Sequence, residues 1–127
     1  MIFAFCSGRL DAQINISHSK LKITDHHFDD EGQNRARIKL TLDCFLDSTI
    51  HFMEFTVLDT TDQSQICNFT VNTSDNEFDG ANGISFYRIN NTFNFISSPF
   101  YPPISPKATI RLKDENENLI HEFHKTQ

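Results

Sequence analysis

Between Arg35 and Asp47 the chain alternates almost without interruption. Ala36, Ile38, Leu40, Leu42, Cys44 and Leu46 share one parity; Arg35, Arg37, Lys39, Thr41, Asp43 and Asp47 share the other. Successive side chains of a β-strand point to opposite faces, so a two-residue period of this length dictates a strand with one dry and one wet face. A helix would scatter the same apolar residues around its circumference. Only Phe45 interrupts the polar set.

The period recurs along the chain. Leu10, Ala12, Ile14 and Ile16 alternate with polar residues, lose parity across Ser17 to Ser19, and regain it at Leu21 and Ile23. A one-residue slip exchanges the two faces of a strand, so a bulge or bend is expected there. Ile2 to Phe5 reads as a short edge strand, and Asp25 to Asn34 as an exposed loop. Further strands are expected over Ile50 to Leu58, Cys67 to Val71, Ile84 to Ile89, Thr92 to Ile96, Ala108 to Leu112 and Asn118 to His124. The short gap after Asp47 predicts that 35–47 and 50–58 pair as an antiparallel hairpin. Phe52 and Leu58 oppose Met53, Phe55 and Val57, which suits a central strand covered on both faces. Thr73 to Gly83 reads as a long acidic loop. Pro99, Pro102, Pro103 and Pro106 exclude a helix and a central strand, so an extended, polyproline-like crossing between sheets is expected here.

Seven to nine short strands, regular turn signals and no convincing helix predict an all-β fold in one domain over 1–127: an antiparallel two-sheet sandwich, with a small β-barrel as the alternative. The order of elements resembles immunoglobulin-like modules in architecture, although the chain has no Trp. A chain of 127 residues can bury a sizeable core. Its thirteen Phe are generous for that core, which points some of them to a contact surface or a cavity.

A net charge of −6 repels phosphate backbones and anionic membrane surfaces, which argues against nucleic-acid binding. Only Arg35, Arg37 and Lys39 form a basic row. No apolar run approaches the roughly 18 residues of a membrane-spanning helix. The apolar start, Met1 to Cys6, is shorter than a signal-peptide core of roughly 7–15 residues, so the chain is either intracellular or secreted after removal of a leader.

Candidate chemistry is sparse. Asp75-Asn76-Glu77-Phe78-Asp79-Gly80 begins like a calcium loop, with Asp75, Glu77 and Asp79 as oxygen ligands, but Phe86 stands where a bidentate Glu should close the cage. His121 and His124 differ by an odd offset, so on a strand they face opposite ways and cannot share an ion. Asp25-His26-His27 has no partner in the sequence. Cys44 and Cys67 lie on core-facing parities, where they form either a cross-sheet disulfide or two small buried hydrophobes. No nucleophile elbow and no glycine-rich phosphate loop occurs, and a buried Cys44 would be a poor nucleophile, so the chain reads as non-enzymatic. Sequons stand at Asn15, Asn68, Asn72 and Asn90. Pro103 to Pro106 has P-x-x-P spacing, and Phe100 with Tyr101 forms a candidate docking patch. The expected function is a non-enzymatic protein-interaction or structural module, compatible with homo-oligomers. Its alternatives are a carrier of an apolar small molecule between the sheets and a calcium-dependent adhesion or recognition domain.

Overall fold

The computed structural model describes residues 14–127. The strand expected at Ile2 to Phe5, the start of the next one at Leu10 and Ala12, and Cys6 lie outside the described residues. Within them are nine strands: β1 (Ile14–Phe28), β2 (Asn34–Leu46), β3 (Phe52–Asp59), β4 (Ser64–Asn72), β5 (Glu77–Asp79), β6 (Ser85–Ile89), β7 (Thr92–Ile96), β8 (Pro106–Lys113) and β9 (Leu119–Thr126). They form two antiparallel sheets, one of five strands in the order β1-β2-β7-β6-β5 and one of four in the order β9-β8-β3-β4. The sheets stack as a sandwich and do not close into a barrel.

Parity sets which residues meet between the sheets. From β2, Ala36, Ile38, Leu40, Leu42 and Cys44 are buried; from β3, Met53, Phe55 and Val57; from β8, Ala108, Ile110 and Leu112. Across the five-stranded sheet, Leu21, Leu40, Phe95, Phe86 and Phe78 stand in one inward row. Phe55 stacks on Phe95 at 5.1 Å across the core, Phe86 lies 5.0 Å from Phe95, and Phe69 contacts both Phe55 (5.5 Å) and Phe78 (5.9 Å). Each buried ring contributes roughly 1.5–3 kcal/mol, with a further increment where rings pair edge-on or offset. The phenylalanine surplus therefore goes mainly into the core. Of the described phenylalanines, only Phe28 and Phe45 are largely exposed.

The expected hairpin between 35–47 and 50–58 is overturned. β2 lies between β1 and β7, whereas β3 lies between β4 and β8 in the other sheet. The connection is a corner: Asp47 accepts the Thr49 N–H on Oδ1 and the Ile50 N–H on its carbonyl, and Ile50 turns into the core. Both strands send apolar residues into the same layer, which facing sheets about 10 Å apart satisfy as well as adjacent strands do.

Elsewhere the differences are smaller. The bulge expected near Ser17 falls between Ile16 and His18. The loop expected at 25–34 is mostly strand: β1 continues to Phe28 through a second irregularity between Thr24 and His27, with Asp25 at φ 58°. The remaining turn is held by Asp29, whose Oδ1 accepts the N–H groups of Glu31 and Gln33. The acidic loop contains β5 and a short 3₁₀ turn, Ala81–Gly83. The proline segment does run from one sheet to the other, from β7 to β8, and bridges Ala36 through Phe100 on the way.

Candidate functional site

The two outer faces of the sandwich treat charge differently. On the four-stranded sheet, acids and bases interlock. Asn68 Nδ2 donates to Glu54 Oε2 and to Thr56 Oγ1, each at 2.7 Å, and Lys113 Nζ lies 3.0 Å from Glu54 Oε1. Arg111 Nε donates to Glu122 Oε1 at 2.8 Å, the other Glu122 oxygen meets His124 Nε2 at 2.7 Å, and His124 Nδ1 meets Thr109 Oγ1 at 3.0 Å. The Asn68 hydrogen bond, reinforced by Lys113, holds the Glu54 carboxyl below the usual range, and Arg111 does the same for Glu122.

On the five-stranded sheet the register sets Lys22 directly opposite Lys39, with Lys20 opposite Thr41, Arg37 opposite Thr24 and Arg35 opposite His27. Like charges at directly opposed positions destabilise a strand pair. Lys39 leans away, donating to the Tyr87 hydroxyl at 2.9 Å over the edge of its ring. Among the described residues Lys20 and Lys22 make no ion pair. Lysines on an edge strand can serve to discourage edge-to-edge pairing. That accounts for Lys20 and Lys22 but not for Lys39, which lies one strand in.

The row ends in two arginines. Arg35 stacks on Tyr101, its Cζ 4.3 Å from the ring centroid, and its Nη1 donates to the Tyr101 hydroxyl (3.1 Å) and to Asp29 Oδ2 (3.4 Å). The Gln33 N–H, helped by Glu31 N–H, Arg35 and Tyr101, keeps the Asp29 carboxyl below its ordinary value. Arg37 has only Asp25 Oδ2, at 3.4 Å from Nε, on a side chain that is itself 55% exposed. Both Nε atoms are buried and donate no hydrogen bond among the described residues. A buried donor left unmade costs about 1–3 kcal/mol. The two arginines line an open cleft of about 540 Å³ with Ile66, Asn82, Gly83, Ser98 and Pro99. Gly83 makes room there: a Cβ at this position would lie 3.0 Å from Arg37 Nη2, and its φ of +79° favours glycine.

A second cleft, about 550 Å³, opens at the other end of β2 beside Leu46, His51, Thr73 and Arg88. Arg88 pairs with Phe93 and so lies on the inward parity. Its guanidinium covers the Phe93 ring at 4.7 Å and donates to the carbonyls of Asn90 (2.7 Å) and Thr73 (2.6 Å). Phe93 and Thr73 belong to opposite sides of the core, so Arg88 works as a bolt between the sheets.

The residues expected as calcium ligands fall on one short strand and the turn before it. Glu77 and Asp79 are exposed on β5 while Phe78 between them points inward, and Asp75 sits in the preceding turn with Oδ2 on the Asn72 N–H. Three residues of the supposed calcium loop are thus strand. Among the described residues no three His, Cys, Asp or Glu side chains are gathered as metal ligands. Of the aromatic patch only Tyr101 is available, at 51% exposed; Phe100 is 5% exposed, packed into the core through its bridge to Ala36. Pro106 is buried at the start of β8, which removes one anchor of the P-x-x-P spacing. Cys44 and Cys67 are unbonded, and burial pushes each thiol up to about 11. The four sequon asparagines are exposed, although Asn68 spends its amide on Glu54 and Thr56.

Sequence periodicity singled out Arg35, Arg37 and Lys39 but missed Lys20, Lys22 and Arg88. For Arg88 a signal existed, a cation on the apolar parity of Phe86; for the lysines it did not, because only strand register places Lys22 opposite Lys39 and Lys20 opposite Thr41. No helix among the described residues is long and apolar enough to cross a membrane. No protein-family model matches the chain, and no curated protein is significantly similar to it.

Proposed function

We propose that this chain is a non-enzymatic protein-interaction module, immunoglobulin-like in architecture, that takes an acidic segment of its partner on the outer face of the five-stranded sheet. The observation that carries this is the opposition of Lys22 to Lys39 in a chain of net charge −6. Cations set side by side at a cost in stability are accounted for when an anionic partner neutralises them. Phe28, 75% exposed, and Tyr101 flank the same end of the row and suit the aromatic anchors that binding surfaces favour. The carrier alternative is less well supported, because the rings an apolar ligand would have to displace are packed on one another. Burial holds the Cys44 and Cys67 thiols protonated, which leaves neither of them suited to act as a nucleophile.

The test is fluorescence anisotropy with a labelled glutamate-rich peptide and a lysine-rich control. The acidic peptide is expected to bind at low salt, to weaken as salt screens the face, and to lose binding on Lys22→Glu/Lys39→Glu. Equal binding of the lysine-rich peptide, or affinity unchanged in the double variant, overturns the proposal.

A further inference from the structure

We infer that the cleft beside Arg37 is an oxyanion site that seats one carboxylate of the bound acidic segment; the identity of that segment rests on the function proposed above. The guanidinium of Arg37 makes no hydrogen bond among the described residues, although its side chain is only 29% exposed. A guanidinium presents a planar fork of donors matched to a carboxylate; the exposed Asp25 carboxylate stands 3.4 Å from Nε without making a hydrogen bond, which leaves the fork ready for an external acceptor. Arg35 adds a second positive charge on the same wall, already oriented by Tyr101 and Asp29. Asn82 and Ser98, residue types with amide and hydroxyl donors, also line the cleft. Gly83 is the enabling residue, since any side chain there would crowd Arg37 Nη2.

Arg88, at the opposite end, is the internal control. Two carbonyls and a ring already occupy its guanidinium, so it offers much less to a ligand. The contrast predicts that one arginine binds and the other holds the fold.

Two measurements test the site. In ¹H–¹⁵N NMR with acetate as probe, the amides of Asn82, Gly83 and Ser98 are expected to shift in the wild type and to stay still in Arg37→Gln. In the peptide titration, Arg37→Gln is expected to weaken the acidic peptide by about tenfold or more, with Arg37→Lys intermediate because it keeps the charge and loses the fork. Replacing glutamates of the peptide one at a time by glutamine should reveal a single dominant position. Acetate that leaves those amides unmoved, together with wild-type peptide affinity in Arg37→Gln, overturns the site while leaving a diffuse lysine-dependent interaction intact. Acetate shifts that depend on Arg37 in a protein that ignores the peptide support the oxyanion site and overturn the proposed partner instead. An amide spectrum of Arg37→Gln matching the wild type away from the cleft establishes that the variant is folded.

Discussion

The outer faces of the two sheets are built from the same residue types and arranged to opposite ends. On the four-stranded sheet the two central carboxylates are each answered: Glu54 by Asn68 and Lys113, Glu122 by Arg111 and His124. On the five-stranded sheet Lys22 faces Lys39, and Arg37 has a single, exposed partner in Asp25 at 3.4 Å. The first arrangement is what a surface selected for stability looks like, with polar groups satisfied locally. The second gives up local satisfaction. The difference teaches that charge count alone is uninformative about a surface, and that cross-strand register decides whether charges cancel or accumulate.

The comparison can be broken by substitution. The largest expected effect is on the paired face. Glu54→Ala removes the acceptor of Asn68 and the counter-ion of Lys113 from a side chain only 18% exposed, and should lower stability by about 1–2 kcal/mol in denaturant unfolding. A neutral result would mean that the network is ornamental and that the two faces do not differ in kind. A smaller effect of opposite sign is expected on the basic face. Lys22→Glu turns a like-charge pair into an opposite-charge pair and should raise stability by roughly 0.5–1 kcal/mol while weakening the acidic peptide. A loss of stability there would show that Lys22 is already neutralised and would remove the main support for the proposed function.

The smallest and most specific effect is in acid. The folded pKa of Glu54 is lowered from an ordinary 4.5, so its stabilisation is fully present above that pH and is lost as pH falls through the lowered value. Glu54→Gln, which keeps the shape and removes the titration, should show a shallower loss of melting temperature below pH 4.5 than the wild type. Parallel curves for the two proteins would place the acid sensitivity elsewhere, with Asp29 next in line because its turn is held by a carboxyl of lowered pKa.

Much of this fold was legible in the chain. Parity alone located β2, the slip near Ser17 announced a bulge, and the prolines after Pro99 marked the passage between sheets. Pairing was not legible. Met53, Phe55 and Val57 alternate in the same way whether β3 lies beside β2 or across from it, and only the corner at Asp47 to Ile50 distinguishes the two. The candidate site fared similarly. Arg35, Arg37 and Lys39 stand out in one strand, but Lys22 acquires meaning only after the bulge between Ile16 and His18 fixes which residue it faces. Phe100 looked available next to Tyr101 because adjacent residues in an extended segment face different ways, and nothing local says which one Ala36 will capture.

Phe78 gives the shortest strand an unusual mooring. β5 has only three paired residues, a number that would let a margin fray, yet its middle ring is stacked on Phe69 of the facing sheet. Peeling that strand away therefore means extracting an aromatic plug from the interior, not merely unzipping hydrogen bonds at the rim. The acidic margin carrying Glu77 and Asp79 is in this way kept at a fixed distance from the lysines of the far margin, and the sheet cannot fold its own negative end over its positive one.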